Sequence, residues 1–435
     1  MLLKQEFFAI ILFILLTNFF TKFRPKNFDN QAVLVLDIGT EFSKALIFQI
    51  EDSQAFIKGY GKVRQKPGNM LVGAVTDIVG VTGSCQEAIE IASRMAGFRP
   101  EQAIVGIAGE LIRGLTMQLK YLREAPLTRI DLTELKLIIQ QIQGRALKQV
   151  RQELALDVPA RELDLKFVHS AIIDARIDNQ PALNPIGFQG HEVTLTVFNS
   201  FAPLVHFGAL KTVAAELELD LLAIVLDSFA LARLFADEHI RSLPAIFLDV
   251  GGGTTDLAVS TIDGKVIIKT FAIGGQTFTK RLAQILNVNL QEAERLKLAY
   301  VQGALPARQT KKIHNSLKED SEVWLAGVEL ALAEVAAESK KLPSKIFLCG
   351  GGAKLPELKQ ALATASFRQN LPFINAPVVR FLFPDDLNCF TDETKLLTSV
   401  QDLMPLALAK LGWQLAGKEK LLSKILRQAV RLLKN

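Results

Sequence analysis

An α/β protein built of two related halves is what the sequence predicts, and three runs predict it. Val35-Leu36-Asp37-Ile38-Gly39-Thr40 and Phe247-Leu248-Asp249-Val250-Gly251-Gly252-Gly253-Thr254-Thr255-Asp256 are one pattern written twice, an apolar strand ending in an aspartate and a glycine-rich turn. The third run, Lys345-Ile346-Phe347-Leu348-Cys349-Gly350-Gly351-Gly352-Ala353-Lys354, is again strand and then glycine turn, with a helix expected from about Pro356. At 435 residues the chain is too long for one compact core and suits two large domains.

The chemistry of such turns points to a nucleotide. Glycines without a Cβ let the backbone approach an anion and aim several N–H groups at it. An aspartate at the strand end cannot bind phosphate directly, since both are negative. It can hold a hydrated divalent cation that bridges to the phosphates, which suits Mg²⁺ with its retained waters. The glycines of the third run would let a base and ribose lie against backbone. Any one run alone is an ordinary strand-to-helix turn; three in this order make a shared cleft the better reading.

Taken along the chain, residues 1–30 form an N-terminal segment whose core, Phe7–Phe20, is nearly all apolar and is followed by Lys22, Arg24 and Lys26. It is shorter than the about twenty residues of a usual membrane span and lacks a small-residue cleavage site. It is either a membrane anchor, with the positive flank placing the body in the cytoplasm, or the product of a misassigned start. The first domain is expected over 31–110 and 199–243, with a turn at Gly73–Ile78, a helix through Glu87–Met95 and a strand from Gln102. Residues 111–198 read as an inserted α+β subdomain with strands at Leu115–Tyr121, Phe167–Ile177 and Glu192–Asn199 around a helix at Leu132–Leu154. In that helix Leu135, Ile138, Ile139, Ile142 and Leu147 recur at helical spacing and Thr133 stands where it could cap. The second domain is expected over 244–405, with Gly274 and Gly275 after a strand at Val266–Ile273 and an outer lobe at about 276–342. A linker, loose at Gly412–Gly417, would fill 406–419.

The end of the chain is distinctive. Leu421, Leu422, Ile425, Leu426, Leu432 and Leu433 recur at helical spacing, and Lys420, Lys424, Arg427 and Arg431 take the other face with no acid among them. Such a helix over 420–435 suits an anionic membrane surface; the alternative is a helix docked on the protein's own core. Elsewhere composition is that of a folded globular protein, 49% hydrophobic and 22% charged, with a net charge of +5. The basic cluster lacks interleaved aromatics, so no nucleic-acid partner is expected. Cys85, Cys349 and Cys389 match neither a metal site nor a disulfide framework and read as buried small apolar residues.

The order of these motifs resembles the actin, heat-shock chaperone and sugar-kinase superfamily, which implies two α/β domains closing on ATP with Mg²⁺. The resemblance makes Asp37 to Lys44 the first phosphate loop, Asp249 to Asp256 the second, and Gly350 to Lys354 an adenosine loop. It places Asp227, in Val225-Leu226-Asp227-Ser228-Phe229-Ala230-Leu231-Ala232, where chaperones carry the acid that orients the attacking water. Asp37 and Asp249 would hold Mg²⁺ through water, Asp249 also serving catalysis. Lys44 follows the first loop, either toward the ligand or as a surface cation on a strand edge.

The insert, with Asn184-Pro185-Ile186-Gly187-Phe188-Gln189-Gly190, resembles that of the bacterial cell-division protein FtsA family, as does the terminal helix. This implies an actin-like ATPase fold with the insert in the first domain, filaments, weak ATPase activity at most, and tethering of the tubulin-like ring protein FtsZ. It implies a location on the cytoplasmic face of the membrane at the division site, with other septal proteins meeting the insert. It also sets Glu294 and Lys297 around the adenosine, where the alternative is a surface i,i+3 pair. A pilus- or secretion-assembly ATPase of the PilM type is the alternative function, favoured by the Asp227–Leu231 run. A superfamily kinase is a third, weakened because no further acid near the first loop reads as the base for a sugar hydroxyl and because a small-molecule kinase has no need of a basic membrane helix.

Overall fold

A computed structural model describes residues 32–51, 54–157, 164–182, 184–235 and 243–416 of the chain. The apolar segment Phe7–Phe20 and the basic run from Lys420 lie outside the described residues. No described helix is long and apolar enough to cross a membrane.

The described chain opens with an antiparallel meander of β1 (Ala32–Ile38), β2 (Phe42–Glu51) and β3 (Gln54–Arg64). A hairpin of β4 (Met70–Leu71) and β5 (Ala74–Val75) leads to the helix Ile78–Ala96 and then to β6 (Gln102–Ile107), parallel to β1. The insert follows as β7 (Arg113–Leu122), the helix Leu132–Asp157, β8 (Leu165–Ile177), β9 (Gln180–Pro181) and β10 (Glu192–Pro203), in a sheet of order β7-β10-β8-β9. The helix Leu204–Glu216 returns the chain to β11 (Asp220–Leu226), parallel to β6, and to the short helix Asp227–Ala232.

The second half repeats the scheme. β12 (Ala245–Val250), β13 (Thr255–Ser260) and β14 (Val266–Phe271) form the meander. After the helices Gly275–Leu286, Leu290–Val301 and Ala307–Ser339, β15 (Lys345–Cys349) and β16 (Val378–Phe381) extend the sheet in parallel on the other side of β12. β17 (Phe390–Asp392) then crosses back to pair with β3, completing a six-stranded sheet of order β11-β6-β1-β2-β3-β17.

The packing follows from the residues. Val33, Leu34, Val35 and Leu36 are all fully buried, so successive side chains on both faces of β1 need cover. The helix Ile78–Ala96 lies on β2 and β3, and the helix Leu403–Ala416 on β1, β2 and β6. The first of these rests on two glycines of β3: a Cβ at Gly61 would stand 2.0 Å from the Ala88 carbonyl oxygen, and one at Gly59 2.1 Å from that of Ala92. Only a bare strand lets the helix backbone come so close. Gly61→Ala should therefore cost about 3 kcal/mol of stability, seen as a lower urea midpoint at unchanged slope.

Several expectations need correction. Residues 403–416 are no linker: they form the helix Leu403–Ala416, with Leu403, Leu406, Ala407, Leu408, Ala409 and Leu411 buried in the first-domain core. Nor does the second domain run to 405, because β17 already belongs to the first sheet. The insert boundary at 198 cuts a strand, since β10 continues to Pro203. The insert helix is capped by Asp131, whose Oδ1 accepts the Glu134 N–H at 2.8 Å, and Thr133 lies inside it. Cys85 and Cys349 are buried as expected, whereas Cys389 is partly exposed.

Candidate functional site

The two aspartate-glycine runs fold into the same turn. Two residues after each aspartate a glycine N–H donates across the hairpin, Gly39 to the Phe42 carbonyl at 3.0 Å and Gly251 to that of Thr254 at 2.9 Å. Strand register then sets a residue opposite each aspartate, Lys44 facing Asp37 and Asp256 facing Asp249. The duplication extends to geometry, but the facing residues differ in sign. Lys44 is no surface cation: β2 is an inner strand, and Lys44 Nζ is buried 2.8 Å from Asp37 Oδ2. Burial opposes its charge, yet Asp37, Asp249 and Asp402 outweigh burial and hold its pKa above the ordinary lysine value.

The site gathers carboxylates whose pKa values burial raises. Burial, then Asp256 and Asp37, push the Asp249 carboxyl up to about 7 against the pull of Lys44. Burial also raises Asp256, although Thr270 Oγ1 donates to it at 2.6 Å and Thr254 Oγ1 at 2.9 Å. Asp227, the first residue of its short helix, is raised well above the usual carboxylate range, by burial and then by Asp37, Asp256 and Asp249. Its Oδ1 is buried without a hydrogen-bond partner. Room for that carboxylate is made by Gly106 of β6, where a Cβ would meet Oδ1 at 2.2 Å. The sequence shows Gly106 only as a glycine inside an apolar strand, a sign of close approach that names no partner.

From the second half, Gly251, Gly275, Gly352 and Lys297 come together. A Cβ at Gly275 would lie 3.5 Å from both the Gly251 carbonyl oxygen and Lys297 Nζ, and 3.8 Å from Gly352 Cα. Lys297 Nζ donates to the Gly275 carbonyl at 2.8 Å and to Thr279 Oγ1 at 2.7 Å and pairs with Glu294 Oε2 at 2.8 Å. Thr279 in turn donates to Glu294. Glu294 and Lys297 thus form a buried network, not a surface pair. Gly274 lies against the second turn, where a Cβ would be 2.7 Å from the Gly252 carbonyl oxygen, and Gly253 lies against Thr40 and Val72 of the first half. Thr40 Oγ1 accepts the Gly73 N–H at 3.2 Å.

The third turn is fastened to the others by Gly350, whose φ is +86°. A Cβ there would stand 2.1 Å from Asp249 Oδ1, and its N–H donates to the Val400 carbonyl at 3.1 Å. Gly351 and Lys354 are exposed, but Ala353 points into the core of the second half. Thr255 also turns away: Trp324 Nε1 donates to its Oγ1 at 3.0 Å and it donates to the Ile273 carbonyl at 2.6 Å. Strand alternation is the cause, since Thr254 and Asp256 take the opposite face of the chain from Thr255.

Other residues joining the site were not read from the sequence. Tyr60 Oη donates to Asp402 Oδ1 at 2.8 Å, burial and Asp402 holding the phenol well above its usual range, and Lys62 Nζ lies 3.4 Å from the same oxygen. Glu41 and Gln276 meet between the halves at 2.7 Å. Among the described residues no group of three or more His, Cys, Asp or Glu could hold a metal ion by itself.

A family model described as cell division protein FtsA matches residues 246–400. The cell division protein FtsA of Pseudomonas aeruginosa is 28% identical over 271 residues, covering 62% of this chain and 60% of its own length. That of Bacillus subtilis is 24% identical over 269 residues, covering 62% of this chain and 58% of its own. The match therefore spans about three-fifths of the curated relatives. Among solved structures, the PilM-PilN type IV pilus biogenesis complex superposes with a TM-score of 0.59 at 17% identity, covering 87% of this chain and 98% of the solved one. The resemblance to FtsA is borne out, and the fold is actin-like.

Proposed function

We propose that this chain is an ATP-binding cell-division protein that assembles into filaments on the cytoplasmic face of the membrane at the division site and ties FtsZ to it. The observation that carries the nucleotide part is the meeting of three glycine turns, two of them duplicates from opposite halves, beside Lys297 and a set of buried aspartates. The turns pack so closely that a Cβ at Gly252, Gly253, Gly274, Gly350 or Gly352 would collide with neighbouring protein atoms, and backbone kept bare of side chains in this way suits the approach of phosphates.

In this reading Gly39, Thr40 and Gly251–Thr254 surround the phosphates, with Lys44 beneath them. Glu294 and Lys297 reach the ribose, and Gly350–Gly352 with Lys354 flank the adenosine. Asp37 and Asp249 would hold Mg²⁺ through its waters, and the ion would neutralise phosphate charge. The donor set suits that mode, since the carboxylates are gathered but do not form a direct ligand cluster. Asp227 would orient water. Turnover is slow in this reading, and nucleotide acts chiefly by biasing closure of the halves.

The relationship to FtsA supports the division role, and the pattern from Lys420 to Asn435 supports membrane attachment. Co-sedimentation with anionic liposomes tests both. Full-length protein should pellet and bring FtsZ with it, while a form ending at Lys420 should leave both in the supernatant. Pelleting of folded full-length protein without FtsZ would move the reading to pilus or secretion assembly. Pelleting of the shortened form would transfer anchoring to Phe7–Phe20.

A further inference from the structure

Glu41 stands where the turns of the two halves meet, and its carboxylate is held from both sides. Oε1 accepts from Nε2 of Gln276, in the second half, at 2.7 Å. Oε2 accepts from Nη2 of Arg64, at the end of β3, at 3.1 Å. The stem of Glu41 lies directly on the second glycine turn, where a Cβ at Gly252 would be 2.7 Å from Glu41 Cγ. Gln276 is fixed to the same turn, its N–H donating to the Gly252 carbonyl at 2.8 Å. Arg64 Nη2 also lies 4.0 Å from Glu294 Oε1, so this one guanidinium spans from the first turn to the Glu294–Lys297 network.

We propose that Arg64 and Gln276 are phosphate-binding side chains and that Glu41 is their built-in competitor, an anion that must release them when a nucleoside triphosphate enters the cleft. The proposal rests on the nucleotide reading above. A guanidinium fork and an amide N–H₂ are donors that suit phosphate oxygens as well as a carboxylate. One set of donors cannot satisfy two anions at once, and a second negative charge beside Glu41 is repelled. The same exchange undoes the Glu41–Gln276 link between halves, so phosphate binding and the relative freedom of the halves are coupled through this one carboxylate. Half the Arg64 side chain is exposed, leaving it free to swing from carboxylate to phosphate.

Titration with ATP in excess Mg²⁺, followed by calorimetry on the full chain, tests this with Glu41→Gln, Arg64→Ala, Gln276→Ala and the Glu41→Gln/Arg64→Ala pair. Glu41→Gln keeps the shape and removes the charge, and should bind about fivefold more tightly. Arg64→Ala should bind about tenfold more weakly, the loss of one charge-assisted contact, and Gln276→Ala more weakly by a smaller factor. In the double variant the gain from Glu41→Gln should shrink but not vanish, because the hold on Gln276 and the repulsion of phosphate are still relieved when no arginine is left to compete for. Thermal melts establish that each variant is folded. Wild-type binding that Glu41→Gln leaves unchanged or weakens overturns the competitor role, and an Arg64→Ala affinity equal to wild type overturns the arginine's. Failure of folded wild type to bind ATP at all overturns the cleft reading, and this inference with it.

Discussion

Gly350→Ala is expected to lower the affinity for ATP by about a hundredfold, ~3 kcal/mol, far more than removing one methyl-sized space suggests. Two effects combine. The residue's φ of +86° is costly for any side chain but glycine. The new Cβ would also lie 2.1 Å from Asp249 Oδ1 and 2.5 Å from the Val250 carbonyl oxygen, both on the strand that positions the second turn. Alanine must therefore push the third turn and Asp249 apart. Gly251 makes a contrast: a Cβ there meets nothing closer than the Thr254 carbonyl oxygen at 3.4 Å. Gly251→Ala should fold normally, and Gly251→Arg should lose nucleotide by filling the approach. Calorimetric titration alongside thermal melts checks both; wild-type affinity in Gly350→Ala would mean that the third turn does not set Asp249.

What the sequence disclosed was decided by periodicity and punctuation. Val33–Leu36, Ala245–Leu248 and Ile346–Leu348 could be read as strands because each is a short apolar run stopped by glycine. The insert helix showed because one face alone is buried, Leu135, Ile138, Ile139 and Ile142 against β7 and β10. The helix Leu403–Ala416 was missed for the opposite reason. Buried almost all round, with a proline in its first turn and Gly412 pressed on Ile104, it has no polar face to mark a period. Thr255 and Ala353 were read with their motifs, yet a motif assigns no face, and alternation turned each inward. Glu41, Arg64 and Gln276 carry no local signal at all: their meaning is their proximity, which only the fold supplies.

The same distinction between folding and function governs Asp249→Asn, which is expected to gain stability and lose nucleotide together. In the native protein the Asp249 carboxyl titrates at about 7, while its ordinary value is 3.8. Between those values the folded chain retains a proton that the unfolded chain has released. Stability is therefore full below about pH 4, falls as pH rises, and the loss is complete above the native value. Asparagine has the same shape and never ionises, so it removes that loss. The variant should be about 4 kcal/mol more stable than wild type at pH 8, with the difference falling below about 1 kcal/mol near pH 4. Urea unfolding at pH 4, 6 and 8 measures this, with part of the slope remaining in the variant because Asp227 and Asp256 are raised as well. Parallel pH profiles for the two proteins would show that Asp249 is not desolvated as described. Mg²⁺-dependent ATP binding, by contrast, should be lost at every pH, since a neutral amide would not replace the carboxylate proposed to hold the hydrated ion. If both outcomes are found, Asp249 weakens the fold at the pH where it is charged and is needed only when a cation is present, and its place in the fold is then explained by the ligand.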